Sequence, residues 1–215
     1  MRHNREIPLD IRQQNDAYNL EWISECKLIG ANYVSPEELD VAATQALDAN
    51  PFMVVWLRNI DRLFSLLPKS LDLREYILLD VGCGSGISTS YIHKNYPLKN
   101  VIGFDFSQML VGKALNNKKI LYGNGDDGNS LNYEAADAST YLIPDAKIIL
   151  FLFNPFGWKT MKSFIENNIS ALIKSNSLML YANDVLVNEI SDYAKVISRD
   201  EFFNLSILSF GSSSK

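Results

Sequence analysis

Three acids and one amide stand where this sequence could do chemistry, each at or near the end of an apolar run. Asp80 lies two residues before the first of three alternating glycines in Asp80-Val81-Gly82-Cys83-Gly84-Ser85-Gly86. Asp105, followed by Phe106, closes the run 100–105; Asp137, followed by the small Ala138, comes just after the run 131–136. The most hydrophobic stretch of the chain, 147–153, ends in Asn154-Pro155-Phe156, with Trp158 two residues on. A glycine turn lets backbone approach a ligand closely, and a helix starting after it offers unpaired N–H groups to an anion. With Asp80 at its mouth, the turn suits a ligand carrying both an ammonium and a carboxylate. Asp105, about twenty positions further on, is placed to accept hydrogen bonds from both hydroxyls of a ribose. Asp137 is a turn residue or an acceptor for the exocyclic amino group of adenine. A dinucleotide fingerprint would need glycine at position 87, where the chain has Ile87, and the Gly-Lys-Ser/Thr ending of a nucleotide P-loop is missing.

These residues need parallel strands to carry them to one edge. The branched, continuous hydrophobicity of 77–81 reads as a central parallel strand leading to a short helix over 87–94. Then come a strand 100–105, a helix 107–116, a surface loop 116–130 rich in turn formers, and strands 131–136 and 147–153. A helix 159–174, a strand 177–182, a short helix 185–191 and strands 194–198 and 202–210, paired through Arg199-Asp200, complete the pattern, with a polar tail over 211–215. Ahead of the first strand, 17–28 is weakly helical. Ser35-Pro36-Glu37-Glu38 is a capping box that starts a helix over 36–48. Asn50-Pro51 interrupts it, and a second helix over 51–66 carries Phe52, Val55, Trp56, Ile60, Leu63, Phe64 and Leu67 on an apolar face. This segment either pads the sheet or folds over the ligand as a lid, with Tyr33 and Ser35 near the ligand.

With 215 residues, 47% of them hydrophobic, the chain supports one domain with a full core: a helical extension over 1–70 and a ligand-binding part over 71–215. A net charge of −5 supplies no global basic field to draw it to nucleic acid or anionic membrane. Cys26 and Cys83 form neither a metal-ligand spacing nor a disulfide framework, which fits a reducing cytoplasm. No signal-peptide core follows residues 1–5, and no apolar run approaches the roughly 20 residues that span a bilayer.

Over residues 75–210 the sequence resembles the class I S-adenosylmethionine-dependent methyltransferases. Asp80 to Gly86 is similar to their first motif, whose turn holds the methionine end of the cofactor. Asp105 matches the acid that binds the ribose, Asp137 the acid facing the adenine amino group, and Asn154-Pro155-Phe156 the motif after the fourth strand. The resemblance implies a Rossmann-like, doubly wound α/β fold, with a mostly parallel seven-stranded sheet, one antiparallel strand and helices on both faces. S-adenosyl-L-methionine would be the cofactor, and the acceptor a small molecule, glycan precursor or protein side chain. The Asn154 amide and Pro155 carbonyl would position that acceptor between walls of Phe156, Trp158 and Tyr33. Nucleic-acid amino methyltransferases carry two prolines before the aromatic; Phe156 replaces the second, so that substrate is not carried over. The paired acids and lysine of the metal-dependent members are missing, so no metal is expected. Two other readings are a binding protein or partner subunit without turnover, and a dinucleotide-dependent oxidoreductase, which Ile87 disfavours.

Overall fold

A computed structural model describes residues 7–42, 47–123 and 125–211. Seven strands form one sheet: β1 Ile77–Val81, β2 Asn100–Asp105, β3 Leu131–Ala135, β4 Ile148–Phe153, β5 Leu178–Ala182, β6 Lys195–Asp200 and β7 Leu205–Ser209. Their order is β3-β2-β1-β4-β5-β7-β6, and β7 runs opposite to the other six. The chain builds outward from β1 through β2 to β3, then returns to β1's other side with β4. The carboxyl ends of β1 and β4 therefore flank a topological switch point, where open α/β sheets bind ligands.

Among the described residues, six α-helices accompany the sheet: α1 Leu9–Glu25, α2 Leu57–Ser65, α3 Ile87–Asn95, α4 Gln108–Tyr122, α5 Trp158–Lys174 and α6 Val187–Ile190. Strand side chains alternate between two cores. Leu78, Val101, Ile149 and Leu180 pack with Ile60 and Leu63 of α2, Ile92 of α3 and Ala114 of α4. Leu79, Phe104, Leu150 and Met179 pack on the other face with Met161, Phe164 and Ile165 of α5 and Ile190 of α6. The doubly wound sheet with one antiparallel strand is the expected architecture.

The departures cluster ahead of β1. The expected helix over 36–48 is a single 3-10 turn, Pro36–Glu38, although the Glu38 carboxylate does accept from the Ser35 N–H at 2.9 Å. Leu39 is already extended, and Asp40 is drawn away to another helix. Residues 43–46 of that expectation lie outside the described residues. The second helix begins only at Leu57; Phe52 instead bridges Val34, leaving 49–56 extended. Asn19 of α1, a longer helix than the expected 17–28, donates to the Val55 carbonyl at 2.9 Å and accepts from Leu57 N–H at 2.8 Å. That side chain satisfies one of the orphan amides at the start of α2.

Two smaller corrections have local causes. The helix expected to stop near 116 runs to Tyr122, ending at Gly123 with φ 57°. Asn117 stays inside it because its fully buried amide joins three partners: it accepts from Ile29 N–H and donates to the Ile29 and Ser85 carbonyls at 2.9–3.0 Å. The final hairpin turns after Asp200, not through Arg199-Asp200; Arg199 sits in β6 and pairs with the buried Asp184 at 2.8 Å. Truncating Asn117 would leave buried amide and carbonyl groups of Ile29 and Ser85 unpaired. Asn117→Ala should therefore cost about 3 kcal/mol of stability in urea titration, since orphaned buried polar groups cost roughly 1–3 kcal/mol each.

Candidate functional site

At the switch point lies a cavity of about 200 Å³. Asp80, Gly82 and Cys83 line it from β1 and its turn, Asp105 and Phe106 from the end of β2, Asp137 and Ala138 from the loop after β3, and Pro155 and Phe156 from the turn after β4. The sequence-selected residues of four different strands thus meet in one place. Six others are not on the cavity wall. Gly84, Ser85 and Gly86 form the turn behind it; Tyr33 is 57% exposed; Trp158 opens α5 with its ring 6.2 Å from that of Tyr193; Asn154 is set back, its Oδ1 3.4 Å from the Tyr181 hydroxyl.

Two glycines explain how the turn packs. Gly82 has φ 76°, and a Cβ there would come within 2.3 Å of Pro155 Cβ; Gly84 has φ 55°, and a Cβ there would lie 2.1 Å from the Phe52 ring. The close approach that the glycines permit is thus made by protein, from β4's turn on one side and from the N-terminal segment on the other. The Gly84 N–H donates to Asp105 Oδ2 at 2.9 Å, and the Ser107 N–H to Oδ1 at 2.9 Å. Asp105 consequently braces the glycine turn and the entry to α4, and its two oxygens, with about four lone-pair sites between them, can also accept from a ligand hydroxyl. Asp80 accepts from the Thr89 hydroxyl at 2.6 Å, and Asp137 from the Ser139 N–H and hydroxyl at 2.8 and 2.7 Å. Burial pushes Asp80 up to about 7, against the Thr89 hydrogen bond, and Asp105 up to about 6, against the bonds from Ser107 and Gly84.

Residues 47–53 roof the cavity, and sequence reading did not single them out as site residues. Asp48, Ala49, Asn50, Pro51, Phe52 and Met53 all line it. Ala49 bridges Phe156; the Asn50 N–H donates to the Pro155 carbonyl at 3.0 Å and its side-chain amide to the Asn154 carbonyl at 2.9 Å. Asp48 accepts from Thr160 N–H at 2.8 Å in the first turn of α5. Asp40 does the same for α4, accepting from the Ser107 hydroxyl at 2.5 Å and Met109 N–H at 2.9 Å. A signal for this strap was present: Asn50-Pro51-Phe52 duplicates Asn154-Pro155-Phe156. The two tripeptides meet across the cavity, one supplying Phe52 to Gly84 and the other Pro155 to Gly82. Lys159, Thr160 and Ser163, on the first turns of α5, complete that wall. Among the described residues, no group of three or more His, Cys, Asp or Glu side chains is placed to hold a metal ion, and no helix is long and apolar enough to cross a membrane.

Residues 79–151, which carry the glycine turn, Asp105 and Asp137, match the family described as a methyltransferase domain. Over these residues the chain is similar to S-adenosylmethionine-dependent methyltransferases. It is 26% identical over 155 residues to a ribosomal RNA small subunit methyltransferase C of Pseudomonas putida (strain GB-1), a match covering 66% of this chain and 44% of that protein. The chain thus spans less than half the length of that relative. Solved structures share its fold. One is a protein of the NADB-Rossmann superfamily from Streptococcus agalactiae, with a TM-score of 0.53, 11% identity, and 76% of this chain and 72% of the other covered. Another is a complex between the Haloferax volcanii Trm112 methyltransferase activator and a putative methyltransferase, with a TM-score of 0.51, 12% identity, and 72% and 89% covered.

S-adenosylmethionine is the cofactor to which the family match points, and the donor set fits it. Two buried carboxylates with raised pKa await a partner that stabilises their charged form, which an ammonium group and a pair of hydroxyls would do. Asp105→Ala should weaken S-adenosylhomocysteine roughly ten-fold or more, one lost charge-assisted bond being worth about 1.5–3 kcal/mol. Because the same carboxylate braces Gly84 and Ser107, the variant should also melt lower; titration calorimetry beside a melting curve reads both. Unchanged affinity with lowered melting would reduce Asp105 to the brace alone.

The raised pKa values also set a pH dependence. A carboxylate whose folded pKa exceeds its ordinary 3.8 adds stability at low pH that is lost as pH rises through 6 to 7. The unliganded protein should therefore lose stability between about pH 4 and pH 7 through these two groups. Binding S-adenosylhomocysteine near pH 6 should release protons, which appears as a dependence of the calorimetric heat on the buffer's ionisation enthalpy.

Proposed function

We propose that this protein transfers the methyl group of S-adenosylmethionine to an acceptor that is a small molecule, a glycan precursor or a protein side chain. The observation that carries this reading is the meeting of Asp80 and Asp105, at the ends of two adjacent parallel strands, with the Pro155-Phe156 wall across a cavity roofed by residues 47–53. When bound, the cofactor supplies a methyl group already activated on a cationic sulfur. The protein's own tasks are then to hold both partners in line and exclude water. In this reading Asp80 and the 82–86 turn hold the cofactor's amino-acid end, Asp105 its ribose, and Asp137, Ala138 and Phe106 its base. Pro155 and Phe156 wall the acceptor. Asn154 shapes that wall from behind, through a left-handed backbone at φ 45° that asparagine tolerates better than most residues.

The rRNA methyltransferase relative favours a second reading, in which the acceptor is a nucleic acid. The net charge of −5 and the four carboxylates on the cavity wall weigh against a polyanionic substrate. Incubating the full chain with methyl-labelled S-adenosylmethionine and separate RNA, protein and metabolite fractions of a cell extract tests both. Label in the metabolite or protein fraction supports the first reading, and label in RNA supports the second. Cofactor binding with no label in any fraction would remove turnover altogether.

A variant checks the role given to the β4 turn. Asn154→Ala puts a Cβ residue without a compensating side-chain amide at positive φ, a strain of about 1–2 kcal/mol. It should lower the rate of methyl transfer while leaving S-adenosylhomocysteine affinity within about two-fold. A collapse of that affinity would move Asn154 into the cofactor site.

A further inference from the structure

Both oxygens of Asp105 are held by backbone donors, Oδ2 by the Gly84 N–H and Oδ1 by the Ser107 N–H, and one bond on each oxygen fixes the rotation of the carboxylate. Each of these donors is in turn reached by a residue ahead of β1. The Phe52 ring packs so closely on Gly84 that a Cβ there would lie 2.1 Å from it. Asp40 takes hold of Ser107 and of the helix that follows: its Oδ1 accepts from the Ser107 hydroxyl at 2.5 Å and its Oδ2 from the Met109 N–H at 2.9 Å. With its proton given to Asp40, the fully buried Ser107 hydroxyl accepts from the Leu110 N–H at 3.2 Å. One serine thus caps α4 with its side chain while its own N–H is directed to Asp105. Asp40 itself is exposed and does not line the cavity.

We propose that Asp40 is a positioning residue for cofactor binding: through Ser107 it aims the Asp105 carboxylate at the ribose hydroxyls, so that a residue off the cavity wall sets the affinity of the site. This rests on the reading above that gives Asp105 the ribose. Hydrogen bonds weaken steeply as their angle closes, so a carboxylate that must meet two hydroxyls at once depends on how it is oriented. The bonds to Asp40 are charge-assisted and correspondingly strong, and they come from the two residues that flank the first residue of α4. Without Asp40 the Ser107 hydroxyl loses its acceptor and the entry to α4 loses its outer anchor. The two carboxylates also feel each other: Asp105 is raised chiefly by burial, and the charge of Asp40 adds to that.

Titration calorimetry on the full chain, with S-adenosylhomocysteine and with its 2′,3′-dideoxy analogue, tests this without an acceptor. Asp40→Ala should weaken S-adenosylhomocysteine about five-fold and leave the analogue within about two-fold, because the analogue brings no hydroxyl for Asp105 to meet. Asp40→Glu keeps the charge and should recover most of the affinity. Asp40→Asn keeps the shape and one accepting oxygen; it should fall between the two and serves where the alanine variant does not fold. In an Asp105→Ala background, Asp40→Ala should add less than about two-fold, since the group it positions is gone. A helix cap and nothing more would lower the melting temperature and leave both affinities unchanged. That result, or an equal weakening of the two ligands, overturns the inference while Asp105→Ala still weakens S-adenosylhomocysteine. If Asp105→Ala leaves S-adenosylhomocysteine binding unchanged, the ribose reading falls and the inference falls with it.

Discussion

Two positions without a Cβ hold the working end of this molecule together. Gly82 admits the ring of Pro155 and Gly84 admits the ring of Phe52, each at a distance that no side chain could share. Both glycines also have positive φ, where an L-residue is strained. The turn after β1 is thereby clamped between the turn after β4 and the N-terminal strap. Once Gly84 is held there, its N–H meets Asp105, and Asp105 in turn sets Ser107 at the entry to α4. A chain of contacts therefore runs from one glycine through a carboxylate to a helix start, across elements separated by tens of residues.

Charge is distributed in two tiers around that clamp. Two acids ahead of β1, Asp40 and the strap's Asp48, are the ones that meet the starts of α4 and α5, where unpaired N–H groups and the positive dipole end favour a carboxylate. Hydrogen bonding to Ser107 and Met109 draws Asp40 below its usual range, the mark of a stabilised charge. The strand-end acids are treated in the opposite way. Asp80 and Asp105 are buried with too few donors to offset desolvation, and both are pushed up. Acids that meet the helix starts are satisfied internally; acids beneath the cavity carry a desolvation cost that their donors do not offset. That division follows the general trade of stability for binding at functional sites.

The central strands β1, β4 and β5 were clear in the sequence because parallel strands buried on both faces must be continuously apolar. Asp80, Asp105 and Pro155 are therefore legible at one edge from the sequence alone. The segment 34–56 was not legible for a matching reason. Its signals are local, a capping box at Ser35 and apolar spacing from Phe52, and both are helical signals. Tertiary demands overrode them: Asp40 is needed at α4, Asn50 at the β4 turn and Phe52 over Gly84, none of which a helix could reach together. Asn117 misled in the opposite sense. A polar residue among turn formers suggested a loop, but its amide is buried in long-range bonds that local composition cannot reveal.

The contact between strap and β4 turn is a short antiparallel ladder, and its geometry governs that side of the cavity. The Asn50 N–H donates to the Pro155 carbonyl and the Gly157 N–H to the Asp48 carbonyl, so Ala49 and Phe156 face each other between those bonds. Such a non-hydrogen-bonded pair brings side chains closer than the alternative register. The smallest chiral side chain therefore stands opposite a large aromatic one, and both line the cavity. Phe156 itself donates neither bond of the ladder, so the aromatic side chain, not the N–H, is what this position contributes. It is 8% exposed, packed into the α5 face of the core on one side and forming cavity wall on the other. The width of the cavity between these two residues is thus fixed by backbone hydrogen bonds and one small residue, a rigid frame closed on its other side by the first turns of α5.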